Sequence, residues 1–135
     1  MVCLDSSFII DIINGAEKAK QIEKEIDESN YDMTISSPAI VEVIRGLYLE
    51  STSKNIKPKE EEKTFELINS LAVLDLDKDS AVLAGRIEAE LRNKGVILDI
   101  EDIMIAAICI KNNETLVTRN KKHFERISGL EIETY

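Results

Sequence analysis

Short apolar runs alternate with longer amphipathic segments along this chain, the rhythm of strands followed by helices. Val2 to Leu4 is the first run, brief enough for a buried strand, and it stops at Asp5. Ser6 or Ser7 then offers a cap for a short helix through Ile13, closed by the helix-stopping pair Asn14-Gly15. From Ala16 to Glu28, charged positions surround Ala19, Ile22 and Ile26 at helical spacing, which predicts an amphipathic surface helix. Met33 to Ser36 reads as a second strand. Ser37-Pro38 predicts an N-cap with proline at the first helical position, starting a helix from Ala39 to about Leu49.

The polar stretch from Ser51 to Pro58 is the one expected long loop. Lys59 to Ser70 returns to helix and Ala72 to Leu76 reads as a third strand. Lys78 to Lys94 places Val82, Leu83, Ile87 and Leu91 at helical spacing and ends at Gly95. Glu101 to Lys111 is almost wholly apolar after its first two residues, which predicts the central buried helix. Thr115 to Thr118 is expected as a fourth strand, Lys121 to Ile127 as a short helix and Leu130 to Thr134 as a fifth strand. Strands alternating with helices imply a parallel sheet covered on both faces. The expected fold is therefore a three-layer α/β/α sandwich around a central, mainly parallel five-stranded sheet, in one domain spanning residues 1–135.

Composition narrows what such a domain can do. A length of 135 residues allows a sizeable core, and a 44% hydrophobic content excludes overall disorder. Twenty-six acidic residues against seventeen basic ones give a net charge of −9, which repels nucleic acid at long range. That excludes a protein whose affinity comes from coating phosphates with Lys and Arg. Any nucleic-acid contact has to be local, through a small basic patch or through metal ions. Cys3 and Cys109 lie in the apolar runs VCL and AAICI, far apart in sequence. They suit neither a disulfide framework nor a zinc site, and read as buried thiols in a reducing compartment. No secretory leader pattern is visible, and no apolar run approaches the ~20 residues of a membrane span. A soluble, cytoplasmic protein with no membrane association is expected.

The acidic residues become informative once the sheet is taken as parallel, because ligands bind beyond the carboxyl ends of its strands. Asp5 ends the first strand, Glu42 lies in the first turns of the helix after the second, and Asp102 sits in the first turn of the buried helix. Asn120 follows the fourth strand by two residues. All four belong to one edge and can converge there. Carboxylates gathered without cations repel one another unless they share a proton or a metal, and oxygen-only ligands suit Mg²⁺ or Mn²⁺ better than zinc. Each residue also has a plainer reading. Asp5 can cap a helix, Glu42 can pair with Arg45 at i+3, and Asp102 can complement a helix N-terminus, as can Asp99 and Glu101. Against these, Glu42 sits in the apolar string AIVEVI, and the helix behind Asp102 is too apolar to face water. His123, the single histidine, has no second histidine or nucleophile with which to build a triad, and reads as a surface residue. With Arg119, Lys121, Lys122 and Arg126 it forms the one basic cluster, a candidate local phosphate contact beside the acidic edge.

The segments VCLDSSFIID, SSPAIVEVIRGL and ILDIEDIMIAAICIKNNETLVTRNKKHFERISGLEI, in this order and separation, resemble a PIN-domain protein. More narrowly, they resemble the VapC-type toxins of bacterial and archaeal toxin–antitoxin pairs. The resemblance covers nearly the whole chain, and D-I-M-I-A-A followed by L-V-T-R-N-x-x-x-F carries it most specifically. It implies a Mg²⁺- or Mn²⁺-dependent endoribonuclease with an RNA substrate, a cognate antitoxin as inhibitor and, commonly, a homodimer. It also implies roles for particular residues. Asp5, Glu42 and Asp102 fall on the family's three acids and would be the metal ligands, with Asn120 completing the catalytic set. Ser6 falls where a small hydroxyl residue supports the first acid, and Thr118 would help orient the outer shell. Arg119, Lys121 and Lys122 are candidate RNA contacts. Asn120 departs from the pattern, since many members carry Asp there, and this puts a second metal site in doubt.

Two other classes compete. A catalytically degenerate member would use the acidic pocket to dock a basic partner segment, which the −9 charge and Asn120 favour and the intact acid set opposes. A receiver-like phosphorylation module needs an acceptor Asp after the third strand, where only Asp75 and Asp77 stand, and a Lys after the last strand, which the chain lacks.

Overall fold

The computed structural model describes residues 1–51 and 58–135, the side chains of 50 and 51 excepted. The expected loop from Ser51 to Pro58 therefore falls, at 52–57, outside the described residues. The apolar triplet Val2–Leu4 forms β1, the middle strand, and all three of its residues are buried. Around it the sheet runs in the order β3-β2-β1-β4-β5, with β2 at Met33–Ser36, β3 at Ala72–Leu74, β4 at Thr115–Val117 and β5 at Ile132–Glu133. Every pairing is parallel, with Leu4 opposite Ile35 on one side and Val117 on the other. Burial falls off toward the edge, where Ala72 and Val73 of β3 are exposed. The third and fifth strands are shorter than the apolar runs that predict them. Each is an edge strand with only one neighbour to supply ladder bonds.

Seven helices connect these strands in the described residues: α1 (Ser6–Ile13), α2 (Glu17–Glu28), α3 (Ser37–Ser51), α4 (Pro58–Ser70), α5 (Lys78–Asn93), α6 (Ile100–Lys111) and α7 (Lys121–Phe124). Contacts gather α1, α2, α3 and α4 into one group and α5, α6 and α7 into another, with α3 also meeting α6. Right-handed crossovers to successive strands on opposite sides of β1 place the two groups on opposite faces of the sheet. The apolar α6 buries Asp102, Ile103 and every residue from Ile105 to Cys109. Its Ile103, Ile105 and Ile108, with Phe8, Ile35, Leu116, Val117 and Phe124, are almost wholly out of water. Each such side chain contributes roughly 1.5–3 kcal/mol. Cys3 and Cys109 are free and buried in this core.

Local signals set the helix ends. Asp77 and Ser80 form a reciprocal capping box at the start of α5, and the Asp77 carboxylate also meets Lys111 in the last turn of α6. Gly15 and Gly95 follow α1 and α5 at φ +75° and +77°, a conformation that favours glycine. The start of α3 lies one or two residues before its expected place. Ser36 Oγ accepts from Ala39 N–H at 3.4 Å, Ser37 is already helical, and Pro38 is the second helical residue rather than the first. Ser37 Oγ instead accepts from Leu76 N–H at 3.2 Å, tying the chain beyond β3 to α3. The last helix ends at Phe124 rather than Ile127, where a tight turn bonds Ile127 N–H to Phe124 C=O.

Candidate active site

The order of strands locates the site. From β1 the chain steps to β2 on one side, while β4 lies on the other, so the carboxyl ends of β1 and β4 bound the crevice where the topology reverses. Asp5 stands at the end of β1 and Thr118 at the end of β4, and the two segments are joined by a bond from Asp5 N–H to Val117 C=O at 3.0 Å.

Asp5 occupies the N-cap position of α1, yet its side chain caps nothing. Its Oδ2 accepts hydroxyl bonds from Ser7 at 2.9 Å and Thr118 at 2.7 Å. Its Oδ1 is buried with no hydrogen-bond partner. The supporting serine is thus Ser7, one residue beyond the expected Ser6. As the second residue of α1, Ser7 faces β4 and also accepts from Arg119 N–H at 3.2 Å. Thr118 Oγ1 in turn accepts from Asn120 N–H at 3.0 Å, which ties the start of α7 to the same cluster.

Glu42 lies in the second turn of α3. The plainer i+3 pairing with Arg45 does not form, because Arg45 reaches across to Glu101 on α6 at 2.6 Å, although its charge still draws the Glu42 pKa down a little. Glu42 Oε1 is left buried without a partner. Burial, reinforced by the negative charges of Asp5, Asp102 and Glu101, pushes its pKa up to about 7. Asp102, in the first turn of α6, is raised to about 6 by burial and by Asp5. His123 partly offsets that rise, since its Nδ1 lies 3.3 Å from Asp102 Oδ2. Asp99, the N-cap of α6, makes no side-chain cap bond and adds to the negative charge around Asp102.

The three acids therefore feel one another as charges at one edge of the sheet, and two of their oxygens are buried without donors. Among the described residues, no three His, Cys, Asp or Glu side chains stand close enough to enclose an ion as they are. Mutual repulsion among the carboxylates favours that spread. Burial without donors costs about 1–3 kcal/mol or more per group, so this arrangement is unfavourable unless a positive ligand repays it. The donors are all hard oxygens, the set that suits Mg²⁺ or Mn²⁺.

The basic cluster divides. Lys121 and Lys122 are exposed on α7. Arg119 is committed elsewhere, since its Nη1 meets Asp11 Oδ1 at 2.6 Å, and Asp11 Oδ2 accepts from the Tyr135 hydroxyl at 2.7 Å. That pair ties the segment after β4 to α1, while more than half of the Arg119 side chain stays exposed. His123 is the surface residue expected, and its Nδ1 also meets Asp102. The signal was its place three residues after Asn120, the N-cap of α7, which returns it to the carboxyl edge of the sheet.

Comparison with known proteins places this arrangement. The PIN domain family model matches residues 2–130. Ribonuclease VapC2 of Rickettsia felis is 29% identical over 133 residues, spanning 98% of this chain and 96% of the relative. The tRNA(fMet)-specific endonuclease VapC of Salmonella typhimurium is 34% identical over 119 residues, spanning 87% of this chain and 86% of the relative. Among solved structures, VapBC2 from Rickettsia felis bound to a DNA fragment from its promoter superposes with a TM-score of 0.83 at 26% identity, covering 100% of this chain and 99% of the other. DNA-bound VapBC from Salmonella typhimurium gives 0.80 at 29% identity, covering 99% and 98%.

Proposed function

The chain belongs to the PIN-domain family as a VapC-type toxin ribonuclease, and from that footing we propose that Asp5, Glu42 and Asp102 hold a Mg²⁺ or Mn²⁺ ion for endonucleolytic hydrolysis of RNA. The observation that carries the metal reading is the pair of buried, partnerless oxygens, Asp5 Oδ1 and Glu42 Oε1, within one negatively charged edge. When bound, such an ion supplies positive charge to phosphate oxygens and lowers the pKa of water. The protein's own part is to place its ligands. Ser7 and Thr118 fix one oxygen of Asp5 and leave the other bare. Arg45 pairs with Glu101 on α6, while Asp102 in the same turn feels the charge of Asp5 and is itself felt by Glu42. Lys121 and Lys122, exposed beside this edge, attract the RNA backbone locally against a net charge of −9. Asn120 adds an amide where a fourth carboxylate would add charge, which supports one strong ion rather than two.

The partner we assign is a cognate antitoxin, supported by the two solved toxin–antitoxin assemblies whose VapC-type chains this fold matches over nearly its full length. We also assign a homodimer, supported by apolar side chains such as Val41 on α3 and Phe65 on α4 that remain exposed. No helix among the described residues is long and apolar enough to cross a membrane, in keeping with a cytoplasmic ribonuclease. The test is cleavage of RNA by purified protein. It should stop in EDTA and return with Mn²⁺, and cleavage that persists in EDTA would overturn the metal assignment.

A further inference from the structure

Nothing in the carboxylate chemistry above uses His123, yet it touches one of the three acids. The structure treats Asp5 and Asp102 in parallel ways. One oxygen of Asp5, Oδ2, is held by the Ser7 and Thr118 hydroxyls. One oxygen of Asp102, also Oδ2, has the imidazole Nδ1 of His123 at 3.3 Å, and no other side chain is recorded against it among the described residues. The imidazole approaches from α7, a helix held in place from below. Phe124, its neighbour, is buried completely, and His123 N–H bonds to Asn120 C=O at 3.0 Å. The backbone that carries the imidazole is thus held in place beside Asp102. Groups that hold a ligating carboxylate from behind set its direction, and their loss commonly weakens metal affinity about 10- to 100-fold.

We infer that His123 is a positioning residue for this site, orienting the Asp102 carboxylate toward the ion as Ser7 and Thr118 orient Asp5. This rests on the reading that the carboxylates hold a divalent ion. It differs from the role that the surrounding lysines suggest for it, a contact with phosphate. It differs also from a purely electrostatic role, because removing a nearby positive group would tighten cation binding, whereas removing a support loosens it.

The experiment is titration of Mn²⁺ into wild type, His123→Ala and His123→Asn by calorimetry, with RNA cleavage measured against metal and against RNA concentration. More than half of the His123 side chain is exposed, at 56%, so both variants should keep the fold, which circular dichroism checks. His123→Ala should weaken Mn²⁺ roughly tenfold and raise the metal concentration for half-maximal cleavage, while the KM for RNA at saturating metal stays near wild type. His123→Asn, whose amide nitrogen branches at the same position as Nδ1, should recover most of the loss. Unchanged or tighter Mn²⁺ binding in His123→Ala, or a raised KM for RNA alone, would overturn the inference while leaving the metal site standing. A wild type that binds no Mn²⁺ would overturn both.

Discussion

The two edges of the sheet each bury an acid with a bare oxygen, and they differ in what surrounds it. At the amino edge Glu114, just before β4, is 3% exposed, with Thr34 Oγ1 donating to Oε2 at 3.2 Å and Oε1 left without a partner. Its pKa is raised by burial, with a contribution from Asp32, and is drawn back by Thr34 and the chain's own amino terminus. At the carboxyl edge Glu42 is raised by burial too, but the next three causes are all carboxylates, Asp5, Asp102 and Glu101. A solitary buried acid can settle its account with a proton and a neighbouring hydroxyl. A group of acids needs several protons or a cation, because neutralising one leaves the others repelling. The difference between a structural acid and a metal site lies in this crowding and not in burial.

The sharpest break of that comparison is Asp102→Asn. Removing one charge from the crowded edge should abolish cleavage, a loss of several kcal/mol or roughly 10³-fold, with stability unchanged or slightly higher. Undiminished Mg²⁺-dependent cleavage would show that the carboxyl edge is no more than a second Glu114.

Next comes pH. Glu42 and Asp102 have folded pKa values of about 7 and about 6, above their ordinary 4.5 and 3.8. The folded state therefore holds protons that the unfolded state releases between those values, and metal-free protein should gain stability as pH falls from about 7 to about 4. Because Glu42 is only half-buried and water screens part of its interactions, the gain is on the order of 1 kcal/mol, a shift of a few degrees in Tm. Melting in EDTA at pH 5 and 7.5 measures it, and Glu42→Gln should flatten the trend by removing one contributor. Saturating Mg²⁺ should flatten it as well, by favouring the charged forms. Equal slopes in wild type and Glu42→Gln would contradict the assignment.

Asn120→Asp should sharpen the comparison from the other side, by adding a carboxylate to the crowded edge. A few-fold tighter Mn²⁺ affinity is expected, limited by the extra repulsion in the metal-free state. No change on titration would show that Asn120 does not limit the site. Glu114→Gln should do least, leaving Mn²⁺ affinity and cleavage at wild-type values, and a loss of either would erase the distinction between the two edges.

Much of this was legible in the residues themselves, for physical reasons. The apolar triplet before Asp5, the charge-free run behind Asp102 and the capping residues at helix starts all act locally, and the strand order then brings their ends to one edge. What the residues did not show is packing between distant segments. Whether Ser6 or Ser7 faces Asp5 is decided by where β4 lies, since Ser7 is the one that also meets Arg119 N–H. Nor does the sequence around Arg119 show that its guanidinium meets Asp11, 108 residues earlier. His123 is exposed, as expected, and its neighbours in sequence do not show that its Nδ1 also meets Asp102. Arg45 prefers Glu101 on another helix to Glu42 on its own, which no i+3 rule can foresee. Glu42 Oε1 is thereby left without a partner, on an edge it shares with Asp5 and Asp102.

The central claim is that one divalent ion belongs to the crowded carboxyl edge, and calorimetric titration of Mn²⁺ into wild type beside Asp5→Asn tests it most directly. The account predicts a single strong binding event in wild type that is lost in Asp5→Asn, with both proteins folded. Mn²⁺ binding of equal strength in the two proteins would contradict it.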